Sequence, residues 1–178
     1  SEVIIVQPAE LVVPQEGPAI VDLDGNHDGL VDPNEHCNAT FTLKNWGSQT
    51  ATNVNAVLSS PDEENIQVIT TSPVSFGNMA PGASFTGAPF EFYVLPDCPV
   101  GQVVPLHLHV TSNDDAWDYD YSVTVNGCDL VVFNYMVNDE SSPNPNYRMD
   151  PGETVMLFLT IKNQGNDAAR GADYSQRR

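Results

Sequence analysis

Apolar residues in this chain recur at every second position or in short runs, and nowhere hold a helical period for long. The segment His36–Lys44 shows the pattern. Cys37, Ala39, Phe41 and Leu43 fall on one side, and His36, Asn38, Thr40, Thr42 and Lys44 on the other. Successive side chains of an extended chain point to opposite faces, so this segment predicts a strand with one dry and one wet face. Val103–Thr111 repeats the pattern, with Leu106, Leu108 and Val110 directed inward and His107 and His109 outward. Further runs rich in Val, Ile, Thr, Phe and Tyr are punctuated by Gly, Pro, Asn and Asp. They predict strands at Glu2–Val6, Glu10–Val13, Asn53–Ser60, Ile66–Thr70, Val74–Phe76, Pro89–Val94, Tyr119–Val125, Asp129–Met136 and Thr154–Lys162. Many short strands at close spacing predict an all-β fold, an immunoglobulin-like antiparallel β-sandwich. The Trp that lies between paired cysteines in antibody domains is absent, since Trp46 falls at a turn.

An internal repeat organises the chain. DPNEHCNATFTLKNWG (Asp32–Gly47) aligns without a gap to DPGETVMLFLTIKNQG (Asp150–Gly165) at an offset of 118 residues. The two match at Asp, Pro, Glu, Thr, Lys, Asn and Gly, and Leu11-Val12-Val13 returns as Leu130-Val131-Val132. The expectation is one full module over 1–126 and the opening strands of a second over 127–178. Two or three strands cannot close a sandwich and would leave an apolar face and open edges. The chain therefore reads as a piece of a longer multidomain protein. The alternative is that the late strands extend the first module's sheet.

Residues 24–35 read DGNHDGLVDPNE and fill the twelve-residue calcium loop D-x-[DN]-x-[DN]-G-x5-E. Asp24, Asn26 and Asp28 take its first, third and fifth positions, Leu30 offers its carbonyl at the seventh, and Asp32 and Glu35 fill the ninth and twelfth. A hard cation takes six to eight oxygens, alternate residues of a tight loop aim theirs inward, and Gly29 permits the sharp turn. Asp22, just upstream, could add a ligand. A strand follows instead of a helix, which argues for structural calcium rather than a sensor. In the second copy, SPNPNYRMDPGE, the counterparts of Asp24, Asn26 and Asp28 are Ser142, Asn144 and Asn146, while Asp150 and Glu153 persist. With carboxylates replaced by neutral groups, that loop is expected to be weak or empty.

Charge narrows the partners. The sequence has 24 acids and 6 bases, a formal charge of −18, and residues 1–147 hold 20 of the acids with Lys44 as their one Lys or Arg. Such a surface repels nucleic acid and anionic membranes and suits divalent cations or cationic partners. No apolar run approaches the length that spans a bilayer. Cys37, Cys98 and Cys128 make no disulfide framework: Cys37 reads as a core residue, and Cys98 and Cys128, both at turns, could pair. Nothing predicts an enzyme. His36 and Cys37 are strand neighbours pointing to opposite faces, and no nucleophile elbow, zinc-protease helix or phosphate loop occurs. His107 and His109 share a wet face and read as solvated, although a third ligand could make them a zinc site. Asp114–Tyr121, with Trp117 among its acids, reads as a loop at one end of the sandwich that could take a protein or glycan ligand. Trp117 capping the core is the plainer reading.

GLVDPNE, then NATFTLKNWGSQTATNVNAVLSS, VSFGNMAPGASF and LPDCPVGQVV, together resemble the CARDB-like, immunoglobulin-fold modules of secreted and surface proteins of Bacteroidetes. The resemblance covers nearly all of 20–125 and restarts at Asp150. It departs from the pattern at Asn34, where Gly is usual. Such modules stand in tandem or beside secreted peptidases of gingipain-like or subtilisin-like type. The resemblance implies a bacterial secreted or cell-surface location and a role as spacer, stabiliser, adhesion module or peptidase-associated domain, in contact with neighbouring domains of the same polypeptide.

Overall fold

Strand after antiparallel strand follows from the alternating pattern. A computed structural model describes residues 11–24 and 27–165, and the strand predicted at Glu2–Val6 lies outside them. The chain divides at Asn126/Gly127 into two compact units. The first contains β1 (Val12–Pro14), β2 (Ala19–Asp22), β3 (His36–Thr40), β4 (Thr42–Asn45), β5 (Ala51–Ser59), β6 (Ile66–Val68), β7 (Val74–Met79), β8 (Ser84–Thr86), β9 (Phe90–Val94), β10 (Val103–Thr111) and β11 (Ala116–Thr124). They form antiparallel sheets in the orders β2-β3-β9-β6, β1-β4-β8 and β11-β10-β5-β7. The first two are continuous through the backbone, because β3 and β4 are one extended run interrupted at Phe41, whose carbonyl accepts the Gly87 N–H at 3.1 Å.

One core joins these sheets, as in a β-sandwich. Cys37, Ala39, Phe41 and Leu43, the predicted dry face, meet Leu106, Leu108 and Val110 in a single buried cluster. Phe41 stands edge-on to Phe90 at 5.8 Å and tilted to Tyr121 at 5.3 Å between ring centroids. Two strands escaped the sequence pattern. β8 is exposed along its whole length, and β2 is four residues long and places the polar Asp22 inward, so neither shows a dry face.

The second unit pairs β12 (Leu130–Asn138) with β13 (Met156–Asn163), with a bulge near Phe133. The repeat is visible in its register. Val12 pairs with Asn45, and Leu130 pairs with Asn163. Val12 is thus the equivalent of Leu130, and the two Leu-Val-Val triplets are one residue out of register. In unit 1 the Asn45 side-chain oxygen accepts the Gly47 N–H at 2.8 Å, and in unit 2 Asn163 accepts the Gly165 N–H at 3.0 Å. The repeated Lys-Asn-x-Gly segment is therefore a turn clasped by its own asparagine. Leu157, Leu159 and Ile161, counterparts of the fully buried Ala39, Phe41 and Leu43, are 49%, 53% and 45% exposed.

Candidate metal centre

β2 and β3 run antiparallel, with Asp22 opposite Cys37, and the acidic loop joins their ends. The Leu23 N–H donates to the His36 carbonyl at 2.7 Å, closing the base of the loop. Its far side is tied to the end of β9: Asn34 N–H donates to the Val94 carbonyl at 3.0 Å, and Val94 N–H to the Glu35 carbonyl at 2.9 Å. The Tyr93 hydroxyl adds a bond to Asn34 Oδ1 at 2.8 Å, and Asn126 N–H donates to the Val31 carbonyl at 2.7 Å. Gly29 has φ +81° and Asn34 φ +67°, left-handed positions that the turn demands. Asn is one of the few residues other than Gly that tolerate this conformation.

Of the predicted ligands, Asp32 and Glu35 are buried and adjoin: the Asp32 N–H donates to Glu35 Oε2 at 3.3 Å. Asp28 is half-buried and accepts the Leu30 N–H at 2.9 Å. Leu30 itself is exposed, and Asn26 lies outside the described residues. Asp24 is turned to His36, accepting its backbone N–H at 2.7 Å, with Oδ2 at 2.8 Å from the ring Nδ1. These contacts, the backbone N–H first, hold the Asp24 carboxyl below its ordinary range. Asp22, outside the twelve-residue pattern, is 8% exposed; its Oδ2 is buried without a hydrogen-bond partner, with His27 Nδ1 3.9 Å away. The loop acids act on Cys37, whose thiol is pushed up to about 12 by burial first and then by the charges of Glu35, Asp22, Asp24 and Asp32. So placed, no three Asp, Glu, His or Cys side chains among the described residues are grouped to hold an ion.

The second loop keeps this local architecture. Arg148 N–H donates to Asn146 Oδ1 at 2.8 Å, as Leu30 does to Asp28, and Asp150 N–H to Glu153 Oε2 at 3.3 Å, as Asp32 does to Glu35. Gly152, the counterpart of Asn34, has φ +85°, and Tyr147, the counterpart of Gly29, is held at φ +60°. Sequence reasoning missed Asp139, which is 1% exposed. It follows Val137-Asn138 as Asp22 follows Ile20-Val21, but one extra residue between it and the loop breaks the ungapped alignment.

The other sequence candidates take structural places. Asp114 and Asp115 form a turn, but Trp117 lies within β11 and packs, with Tyr119 and Tyr121, against the core; the predicted loop is therefore mostly strand. The alternate residues Asp118 and Asp120 point outward, to His107 and His109. All three cysteines are free; Cys37 and Cys98 are buried and Cys128 is exposed. No helix of the described residues is long and apolar enough to cross a membrane.

No protein-family model matches the chain, and no curated protein matches it. Among solved structures, a FixG-related protein from Vibrio parahaemolyticus is similar over 61% of this chain and 94% of that one, at 11% identity and a TM-score of 0.36.

Proposed function

We propose that the chain is a non-catalytic, calcium-stabilised module of immunoglobulin-like type, followed by the opening strands of a second, that holds neighbouring domains of a secreted or cell-surface protein at a set spacing. The observation that carries this is the burial of Asp22, Asp32 and Glu35 around one strand-to-strand connection. Of these, Asp22 keeps its Oδ2 buried without a hydrogen-bond partner. Buried carboxylates need a partner charge or a full set of donors, and Asp22 Oδ2 has no donor and only the His27 ring, 3.9 Å away, beside it. The donor set is all oxygen, which suits calcium rather than zinc. Asp24, Asn26, Asp28, the Leu30 carbonyl, Asp32 and Glu35 would hold the ion, with Asp22 behind them. Asp24 would have to leave His36 to take part.

An ion there would act on the whole end of unit 1, because the loop is already bonded to β9 through Asn34 and Glu35 and to Asn126 through Val31. A stiff end is what a spacer requires. Trp117, packed against the core, supports the module rather than offering a binding platform. The test is thermal unfolding of the EDTA-treated chain with calcium or magnesium added back. A calcium-selective rise in Tm is expected, since free calcium at a hundred times its Kd stabilises by about 2.7 kcal/mol. No shift with calcium would overturn the reading.

A further inference from the structure

The second loop lacks carboxylates at its first and fifth positions, where Ser142 and Asn146 stand. Strand register supplies a replacement. Val21 of β2 pairs with Asn38, and Asn138 of β12 pairs with Met156, the residue 118 positions after Asn38. The next residues along, Asp22 and Asp139, are therefore equivalent. Asp139 Oδ2 accepts the N–H groups of Asn146 at 2.6 Å and Tyr147 at 2.9 Å, which aims the carboxylate into the loop. Its Oδ1 is buried and has no hydrogen-bond partner, as is true of Asp22 Oδ2. No Lys, Arg or His within 4.0 Å pairs with Asp139 among the described residues. A buried carboxylate oxygen without a donor is costly, and it occurs here at the same place in both copies of a duplicated loop.

We propose that residues 139–153 form a second calcium site, in which Asp139, the equivalent of the extra ligand Asp22 of the first loop, supplies the carboxylate missing at Ser142. The identity of the ion rests on the reading of the first loop given above. Asp150, Glu153 and the side-chain oxygen of Asn146 would complete the set on being drawn in by the ion, since without it these carboxylates are not grouped to hold one. Ser142 Oγ, 3.1 Å from Glu153 Oε1, and Asn146 Nδ2, 2.7 Å from Asp150 Oδ2, are neutral donors to those carboxylates without an ion. The second loop gathers three carboxylates against five in the first, so it is the weaker site.

Calorimetric titration of the full chain with calcium chloride, alongside amide NMR spectra, tests this. Two sites per chain are expected, with the Asn146 and Tyr147 amide signals moving as the weaker one fills. Asp139→Asn should weaken that site by at least about tenfold, the scale on which even outer-shell changes act, and leave the stronger one unchanged. Glu153→Gln reads the same site if Asp139→Asn disturbs the fold of unit 2. One site, with Leu30 and Asp32 amides moving but Asn146 and Tyr147 still, would overturn the second site and leave the first standing. Two sites indifferent to both substitutions would overturn the assignment of these ligands. No site at all would overturn both readings together.

Discussion

Asn45 shows what a single residue of the repeat does. It is fully buried, its Nδ2 donates to the Gln49 and Met79 carbonyls, both at 2.8 Å, and its Oδ1 accepts the Gly47 N–H at 2.8 Å. Removing that amide strands several backbone groups in the interior. Asn45→Ala should cost roughly 2–4 kcal/mol, the scale of buried groups left without partners, and lower the guanidinium midpoint at an unchanged slope. Its neighbour Trp46 is 51% exposed and meets Lys44 Nζ at 3.6 Å from the ring centroid. Trp46→Ala should therefore cost no more than about 1 kcal/mol, the worth of an exposed cation–π contact. Equal losses at the two positions would contradict the clasp. The sequence marked Asn45 only as a repeated letter. It gave no hint that the amide closes a turn, because a partner such as Met79 comes from a strand far along the chain.

On the paired strands β10 and β11, His107 stands opposite Asp120 and His109 opposite Asp118. His107 Nδ1 lies 2.8 Å from Asp120 Oδ1, while Asp118 Oδ1 lies 3.1 Å from His107 Nε2 and 2.6 Å from His109 Nδ1. On its other side β10 offers Ser59 and Val57 opposite the histidines, neither of them titratable. The hydrogen bond to Asp120 raises the His107 pKa above its ordinary 6.5, and the bond to His109 lowers that of Asp118 below its ordinary 3.8. A raised histidine contributes stability that is complete below pH 6.5 and is lost as pH rises through the folded value; a lowered aspartate contributes stability lost as pH falls below 3.8. The ladder therefore stabilises most between those limits. The Tm difference between the wild type and Asp118→Asn should be widest near pH 5 to 6 and shrink toward pH 8; a difference that does not vary with pH would sink the ladder. At this scale the sequence was legible: alternation put both histidines on the wet face. Their partners were not, because cross-strand pairing depends on a register that neither strand encodes alone.

Across the whole chain, charge and burial are unevenly shared. Residues 1–126 carry 17 acids and 1 base, a net −16, and residues 127–178 carry 7 acids and 5 bases, a net −2. The first unit offsets its self-repulsion with a closed core. The second has a two-stranded sheet whose Leu157, Leu159 and Ile161 face solvent at positions the first unit buries completely in Ala39, Phe41 and Leu43. The aligned apolar letters of the repeat mark in advance which side of β13 corresponds to the buried side of β3 and β4. The bulge at Phe133 was hidden, and with it the equivalence of Asp22 and Asp139. A two-stranded sheet is marginal by itself, so β12 and β13 should open locally without the rest of the molecule unfolding. Hydrogen exchange without calcium should run roughly 100-fold or more faster in β12 and β13 than in β10, because the hairpin lies at the low end of local opening energies. Calcium should slow exchange at the β12 end near Asp139, which lies outside the twelve-residue pattern of the second loop. Protection in β12 and β13 equal to that in β10 without the ion would mean that the open face is covered in solution, and the marginal hairpin would have to be given up.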